Sequence, residues 1–416
     1  MEWALLALAL ALRLGLVTQA TWLPVSDTRD YHELARSLAG GRGYAQVYEG
    51  ERPEYRGLTF QAFRMPGYPA FLAGLYSLFG WDPMVGYLAN VACELATQWL
   101  VLALGRRLLD PVASVAAQAL MATHVVWTPS LMTESLFTVL FTALVLMVVA
   151  GRVAVAPGGA ARFGILLALA VFVRPIAVAA LPAAGLQAWR ARPRHRRAAL
   201  LLLLVAPLGL GLGAWTIRNH QRLGAPVVLT TNLGAHNAPF FGIDRARVVE
   251  DARRRGLNEV GINDALLAEI RRTVAGSPGW AAALYARRAV DLFSLGRPWE
   301  VRALLATRTF APPAGSTVAQ RLYGALLFQY YLTYPLTLAG AILLARKRQP
   351  LGGVWTILAS YVLAHAVVSD GNFRLAAPLY PVLCLFAGHA IAALLARSRH
   401  GAPGWPVRLT PPGARA

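Results

Sequence analysis

Long apolar runs separated by short polar stretches dominate this chain. A helix needs about 20 mainly apolar residues to cross the hydrocarbon core of a bilayer. Runs near this length occupy residues 3–23, 84–104, 131–150, 198–217, 322–345, 354–368 and 375–396. Residues 112–127 form a further candidate span, and the long run 163–189 is interrupted by Arg174 and Pro175. The pattern predicts an all-α polytopic membrane protein with about ten transmembrane helices.

Positive charge in the short loops predicts how these helices are oriented. Arginine and lysine concentrate in cytoplasmic loops. The basic loops are residues 106–107, 152–162, 190–197, 346–348 and 397–400. Alternation then places two loops on the outside, a first outer loop at residues 24–65 and a large outer loop at residues 218–318.

Two shorter features complete the predicted topology, the segment 67–79 and the turn at Arg174 and Pro175. Residues 67–79 are too few to cross, so we expect an interfacial or re-entrant helix there, beside short interfacial helices in the first outer loop. Arg174 and Pro175 should form an outer turn between two short helices, because proline disfavours the continuation of a helix.

The large outer loop and the C-terminal end complete the expected organisation. Residues 263–274 and 280–293 show helical spacing of apolar positions, which predicts a helical cap on the outer face. We therefore expect one transmembrane domain over residues 1–396. A disordered cytoplasmic tail over residues 397–416 should follow, because this end is rich in proline and arginine.

Composition supports a bilayer environment and argues against nucleic-acid binding. Of 416 residues, 56% are hydrophobic and 14% are charged, whereas soluble domains carry about 25% charged residues. The net charge of +20 comes from 40 basic residues, of which Lys347 is the only lysine. These arginines lie largely in short loops between apolar runs, where the positive-inside rule accounts for them.

Two aspartates follow the first apolar run. Asp27 and Asp30 are three residues apart, so they would share one face of a helix that starts near Thr28. An aspartate in this place is a natural N-cap, which is the structural interpretation. In the functional interpretation, Asp27 is a base at the membrane surface that accepts a proton from an attacking hydroxyl. The pattern leaves both interpretations open.

Further polar residues lie at the same outer edge of the apolar runs. The arginines are Arg64, Arg174, Arg218 and Arg374. Any one of them could be a helix-end residue that snorkels to the interface. Four on one face favour binding of an anion, because guanidinium groups hold phosphate with paired charge-assisted hydrogen bonds. Glu134, at the start of another run, is a further candidate because buried polar groups in membrane segments are costly.

Residues 230–237 (TTNLGAHN) are dense in hydrogen-bonding groups. They could form a simple turn, or they could bind the hydroxyl groups of a sugar. His32, His220 and His236 lack the tight spacing of metal ligands, so we assign no metal residues and leave a divalent metal open.

Several short motifs, taken in order along the chain, are similar to those of a known superfamily. They are DTRDYHELA at 27–35, GRGY at 41–44, RMPGYP at 64–69, RP at 174–175, RNHQRLG at 218–224, TNLG at 231–234 and FRLAAPLYP at 373–381. This arrangement resembles the superfamily of the protein O-mannosyltransferases and aminoarabinose transferases, which is similar to glycosyltransferase family 39. Its members are membrane glycosyltransferases of fold type C. The resemblance covers residues 1–396.

The resemblance implies a function and a set of site residues. It implies an inverting transferase that moves a monosaccharide from a polyprenyl-phosphate or dolichyl-phosphate carrier to an acceptor hydroxyl on the non-cytoplasmic face. Asp27 would be the catalytic base. The remaining candidates are Asp30 and Glu134 for catalysis or acceptor binding, Arg218, Arg374, Arg64 and Arg174 for the donor phosphate, and Tyr31, Tyr68, Asn232, His236 and Asn237 for sugar.

The expected partners are the lipid-linked donor, membrane lipids and an acceptor that is a glycan, a lipid or a protein. We expect the protein in a prokaryotic cytoplasmic membrane, with its site facing outwards. Other functions stay open at this point. A transporter or flippase would place its polar groups near the bilayer midplane, between inverted repeats. A non-catalytic assembly protein would not need Asp27. Asp27 could also activate water or a non-sugar acceptor.

Overall fold

The computed structural model describes residues 1–18, 26–50, 52–125, 128, 130–191, 193–293, 317–346, 351–368 and 373–400. Most of the described chain is helical. The first helices are α1 (Glu2–Val17), α2 (Ser26–Ala39), α3 (Gly67–Phe79), α4 (Pro83–Leu108), α5 (Pro111–Ala122), α6 (Glu134–Val149), α7 (Arg152–Val155), α8 (Pro157–Val173) and α9 (Leu181–Arg190). The later helices are α10 (Arg196–Leu223), α11 (Leu233–Asn237), α12 (Arg245–Arg254), α13 (Glu259–Gly276), α14 (Pro278–Asp291), α15 (Thr317–Arg346), α16 (Gly352–Val368) and α17 (Tyr380–His400).

Three helical segments in the described part of the chain are long and apolar enough to cross a membrane. They are Pro83–Leu108, Arg196–Leu223 and Leu375–Ser398. Four more helices are apolar but have only 10–17 residues. One of them, α5, ends at Ala122 and is shorter than the predicted span 112–127. At about 1.5 Å per residue it is too short to cross about 30 Å of hydrocarbon alone, and the count of about ten crossings stays a prediction.

Two predicted details of the chain path agree with the structure. The short apolar run at residues 67–79 forms α3, Gly67–Phe79. The run 163–189 breaks at Arg174, where α8 ends and a 3-10 helix, Pro175–Ala180, leads into α9. Arg174 itself has extended backbone angles, which a following proline favours.

Two local predictions need correction. Residues 397–400, assigned to the tail, continue helix α17, and residues 401–416 lie outside the described chain. The first outer loop also contains a small antiparallel sheet, in which β1 (Gln46–Val47) pairs with β2 (Thr59–Phe60). The structure is thus almost entirely, but not purely, helical, because the loop between α2 and α3 folds back on itself.

Close packing of small residues joins the last helices to the rest of the bundle. Helix α17 packs against both α5 and α15. A Cβ on Gly340 of α15 would collide with the backbone carbonyl of Phe386, and one on Gly388 would collide with the carbonyl oxygen of Ala113 in α5. Helix pairs in membranes use small residues in this way so that their backbones can approach each other.

A buried ion pair fixes α1 against the neighbouring helices. Arg13 is fully buried and its Nε donates to Glu94 Oε2 at 2.7 Å. Its other nitrogens donate to backbone carbonyls, including Ala122 at 2.9 Å and His124 at 2.8 Å. Glu94 also accepts from Thr128 Oγ1 at 2.6 Å. These partners of Arg13 and Glu94 all belong to the helices and loops around them, so this buried network stabilises the packing of α1 against α4 and α5.

The helices predicted to form a cap, in the segment 218–318, pack on the segment 24–65. Helices α11 to α13 contribute apolar residues such as Ile262 and Leu266 to a cluster with the aromatic side chains of the first outer loop. Those rings include Tyr55, Phe60 and Phe63, with the last two stacked at 4.3 Å between centroids. The predicted helices at 263–274 and 280–293 correspond to α13 and α14. The cap and the loop therefore form one packed unit beside α2.

Candidate active site

One arginine holds both aspartates of the first outer loop. Arg64 Nη2 donates to Asp27 Oδ1 at 2.5 Å and to Asp30 Oδ2 at 2.8 Å, and its Nε donates to Asp30 Oδ2 at 3.1 Å. Asp27 lies in the first turn of α2 and Asp30 one turn later, so both face Arg64, as their spacing predicted. All three residues are buried, with relative exposures of 8% for Asp27, 4% for Asp30 and 7% for Arg64. We call them the carboxylate cluster.

Aromatic groups keep the Arg64 side chain in place. Its guanidinium carbon lies 5.5 Å from the ring centroid of Tyr31 and 5.2 Å from that of Phe63. The hydroxyl of Tyr44 donates to the backbone carbonyl of Arg64 at 2.9 Å. Tyr31 in turn meets the ring of Tyr68 edge-on, at 5.1 Å between centroids. Cation–π contacts of this kind add to the ion pairs and restrict the orientation of the guanidinium plane.

The pKa values of Asp30 and Arg64 in the carboxylate cluster depend on burial and on each other's charge. Burial raises the pKa of Asp30 above its usual 3.8, and the guanidinium of Arg64 opposes that rise. Burial alone would lower the pKa of Arg64, but the neighbouring carboxylates of Asp27 and Asp30 raise it well above the usual value. Both carboxylates bind the same guanidinium, so the charge of Asp30 depends on Arg64.

Arg218, a predicted phosphate ligand, contacts the backbone of the first outer loop. Its Nη1 donates to the carbonyl of Gln61 at 2.7 Å and to Asn219 Oδ1 at 2.8 Å, while Nη2 donates to the carbonyl of Tyr44 at 2.7 Å. Its guanidinium carbon also lies 5.1 Å from the ring centroid of Trp215. This half-buried arginine joins the end of α10 to the loop that carries Arg64.

Arg174 and Glu134 form a second polar cluster. Arg174 Nη2 donates to Glu134 Oε1 at 2.7 Å, and Nε donates to Thr133 Oγ1 at 2.6 Å. Glu134 is completely buried at the start of α6. The remaining nitrogen of Arg174, Nη1, is buried and has no hydrogen-bond partner among the described residues. An unsatisfied buried guanidinium nitrogen is costly, so this atom is suited to receive an anion.

The predicted sugar-binding residues are in two places. Tyr31 and Tyr68 lie beside the carboxylate cluster, and the fully buried hydroxyl of Tyr68 has no hydrogen-bond partner in the described chain. Asn232, His236 and Asn237 lie at α11 in the cap. There Asn232 Oδ1 accepts from Thr230 at 2.7 Å, and Asn237 Nδ2 donates to the carbonyl of Val368 at 3.0 Å.

Arg374 and a metal site are the remaining candidates. Arg374 lies in a 3-10 helix, Phe373–Leu379, and its side chain is outside the described part of the structure. Within the described ranges, no three His, Cys, Asp or Glu side chains gather as metal ligands do. Phosphate binding by Arg374 therefore stays a prediction, and a divalent metal stays open.

Sequence reasoning missed Glu259, a buried carboxylate at the start of α13. It accepts hydrogen bonds from the backbone amides of Gln61 and Ala62 and from the hydroxyl of Thr231. Burial raises its pKa above the usual 4.5, although these hydrogen bonds oppose the rise. An acidic residue in the first turn of a helix has an ordinary explanation in the helix dipole, so the sequence held no signal for this contact.

Comparison with solved structures identifies the fold. The apo oligosaccharyltransferase of Archaeoglobus fulgidus matches with a TM-score of 0.53 and 16% identity, over 99% of this chain and 53% of that one. The archaeal oligosaccharyltransferase AglB from the same organism, in complex with an inhibitory peptide and a dolichol-phosphate, matches with 0.50 and 14%, over 98% and 52%. ArnT from Cupriavidus metallidurans, bound to undecaprenyl phosphate, gives 0.40 and 13%, over 95% and 78%.

These likenesses concern the fold. The chain spans about half the length of the oligosaccharyltransferases that it matches, at 53% and 52% of their chains. No protein-family model matches the sequence. No curated protein sequence matches it either. The match over nearly the whole of this chain shows that it has the fold of the type C membrane glycosyltransferases, which is the fold that the motif resemblance implied.

Proposed function

We propose that this protein is an integral membrane glycosyltransferase that transfers a monosaccharide from a polyprenyl-phosphate carrier to an acceptor hydroxyl, with inversion at the anomeric carbon. The observation that carries the proposal is the carboxylate cluster, in which Arg64 holds Asp27 and Asp30 of α2, the helix that follows α1 along the chain. In a chain with the type C fold, this is a base placed beside the membrane surface.

Asp27 takes the proton of the acceptor hydroxyl. As that oxygen attacks the anomeric carbon, a new C–O bond forms on the face opposite the phosphate, and the bond between the anomeric carbon and the phosphate oxygen breaks. The electron pair leaves with the lipid phosphate, which needs no proton from an acid because it is already a good leaving group. One carboxylate is then sufficient, and Arg64 keeps it oriented towards the substrate.

The phosphate of the donor belongs at the second polar cluster. Arg174 Nη1 is the buried donor atom there, and Glu134 and Thr133 fix the rest of its guanidinium. Arg374 remains a second phosphate candidate, whereas Arg64 already donates from Nε and Nη2 to carboxylates and Arg218 from Nη1 and Nη2 to backbone carbonyls. One oligosaccharyltransferase of the same fold was solved with a dolichol-phosphate, which supports a lipid phosphate as the donor class.

The membrane arrangement follows from the three long apolar helices and the basic loops. We infer about ten crossings, with the arginine-rich loops in the cytoplasm and the carboxylate cluster on the outer face of a prokaryotic cytoplasmic membrane. Donor and acceptor would meet under the helical cap, with Asn232 and His236 as candidate ligands of the sugar hydroxyls. The acceptor is a glycan, a lipid or a protein.

A donor panel tests this function. Purified protein in lipid vesicles is given radiolabelled polyprenyl-phosphate monosaccharides of different sugars, and separately the matching nucleotide sugars, with a mixed acceptor extract. We expect label transfer and release of polyprenyl phosphate from at least one lipid-linked donor, and none from nucleotide sugars, with protein-free vesicles as the background. Tight donor binding with no turnover in any acceptor mixture would instead favour a lipid-linked sugar transporter and contradict the proposal.

A further inference from the structure

The backbone just before Arg64 is held on both sides by the large outer loop. Gln61 and Ala62 follow strand β2 and precede Arg64 by three and two residues. Each has one amide hydrogen and one carbonyl oxygen, and all four groups are hydrogen bonded to residues of the segment 218–259. A two-residue segment that is fully bonded to another part of the chain is more fixed than a loop in water.

Glu259 holds the amide side of this segment. Its Oε1 accepts from the amide of Gln61 at 2.6 Å and from that of Ala62 at 3.1 Å. Its Oε2 accepts from Thr231 Oγ1 at 2.6 Å. Glu259 is 4% exposed, and no ion pair joins it to a basic side chain among the described residues. A carboxylate makes stronger hydrogen bonds to backbone amides than a neutral acceptor does.

Arg218 and Thr231 hold the carbonyl side. Arg218 Nη1 donates to the carbonyl of Gln61 at 2.7 Å, and the backbone amide of Thr231 donates to the carbonyl of Ala62 at 3.0 Å. Arg218 comes from the end of α10, whereas Thr231 precedes α11. Glu259, Arg218 and Thr231 thus form a clamp around the backbone of Gln61 and Ala62. Glu259 also accepts a hydrogen bond from the hydroxyl of Thr231, so the two sides of the clamp are joined to each other.

The clamp sets the position of Arg64. Only Phe63 separates the bonded residue Ala62 from Arg64, and the ring of Phe63 is itself stacked on that of Phe60. Arg64 then reaches Asp27 and Asp30 with nitrogens at 2.5–3.1 Å. A shift of the clamped backbone by about 1 Å would lengthen all of these contacts, and errors of that size in a catalytic geometry cost roughly 100-fold in rate.

We propose that Glu259 is a positioning residue for the catalytic carboxylates: through the backbone of Gln61 and Ala62 it fixes where Arg64 holds Asp27 and Asp30. The part of this inference that concerns rate rests on the proposed function. The part that concerns geometry does not. It makes the helical cap a support of the reaction centre, so that a change at α13 reaches α2 through the backbone of Gln61 and Ala62 and the side chain of Arg64.

Hydrogen–deuterium exchange in lipid tests the geometric part without any substrate. The readouts are peptides covering residues 59–66 and the start of α2. In Glu259→Gln we expect about ten-fold faster exchange in both regions and no change in distant helices. Arg64→Gln serves as the reference, because it should loosen the start of α2 directly. Glu269→Gln is the matched control, since Glu269 lies in the same helix and pairs with Arg272 at the surface.

Each outcome of that experiment decides the inference. Faster exchange in both regions of Glu259→Gln, with Glu269→Gln like the wild type, supports it. Faster exchange in residues 59–66 alone, or in neither region, overturns it. If Glu259→Gln exchanges faster everywhere, Thr231→Val is read in the same two regions, because it removes one hydrogen bond of Glu259 and leaves the backbone bond to Ala62; an unchanged α2 there also overturns the inference.

Kinetics tests the part that concerns rate. With a donor that the wild type uses, Glu259→Gln should lower kcat roughly 10- to 100-fold and leave the KM for the donor within about two-fold, because Glu259 acts on the base and not on the phosphate. A fall in kcat that merely matches a smaller folded fraction would contradict positioning. If the wild type transfers no sugar from any donor, the proposed function fails, while the exchange result still decides whether Glu259 fixes Arg64.

Discussion

Replacing Arg64 with glutamine tests what this arginine does. The sequence predicts that it binds the donor phosphate, whereas the structure directs its Nε and Nη2 to the carboxylates of Asp27 and Asp30. Glutamine is shorter and uncharged, so Arg64→Gln leaves two buried carboxylates without their cation. Breaking a buried ion pair by removing one partner costs about 3–5 kcal/mol, and we expect a loss of stability near the lower end because a carboxylate can take up a proton.

The direction of that proton uptake is fixed by the pKa of Asp30. Burial already raises it, and Arg64 is the group that lowers it. Without Arg64 the pKa of Asp30 rises further, so Asp30 binds a proton at a higher pH than in the wild type. Loss of orientation of the base should reduce kcat by roughly 100-fold. The KM for the donor should change little, since the two nitrogens that contact the carboxylates do not contact phosphate.

The assay is steady-state transfer of labelled sugar against donor concentration, from mildly acidic to neutral pH, for wild type, Arg64→Gln and Arg64→Lys. Lysine restores the charge without the two-pronged geometry, so it should recover only part of kcat. A KM for the donor raised ten-fold or more in Arg64→Gln, with kcat unchanged, would refute this reasoning and favour binding of the donor phosphate by Arg64.

Three further predictions concern the support of the site. Arg13→Met should destabilise the protein by about 3–5 kcal/mol because it strands a buried carboxylate, and adding Glu94→Gln should recover most of the loss in thermal unfolding. Glu259 has a pKa above 4.5, so the fold loses stability as pH rises from there through the raised pKa, and Glu259→Gln should unfold at a temperature that varies less over this window. Gly67→Ala should lower the unfolding temperature, because the new Cβ would lie 2.5 Å from the backbone of Phe172 in α8.

Local signals in the sequence predicted the helices well. The apolar run 67–79 became a helix with those bounds, and the Arg174–Pro175 dipeptide ended α8 where proline requires it. Such features depend on neighbours in the chain. The spacing of Asp27 and Asp30 likewise predicted that they share a face, because a helix fixes side chains three residues apart on one side.

Contacts between distant segments could not be predicted in this way. Arg64 is 37 residues from Asp27, and Glu259 is 197 from Ala62. An arginine at a membrane edge looks the same in sequence whether it binds phosphate, a carboxylate or, as Arg218 does, backbone carbonyls. The tertiary fold chooses among these partners, since each satisfies the same guanidinium donors.

The most direct test of the central claim is the single-turnover rate of sugar transfer in Asp27→Asn, measured with saturating donor and acceptor. Asparagine keeps the shape of the side chain but cannot accept a proton, so the account predicts a fall of about 100- to 10,000-fold. Asp82→Asn is the matched control, because Asp82 is an exposed aspartate that caps α4, and this variant should transfer at the wild-type rate. Transfer by Asp27→Asn at the rate of Asp82→Asn would contradict the claim that Asp27 is the base.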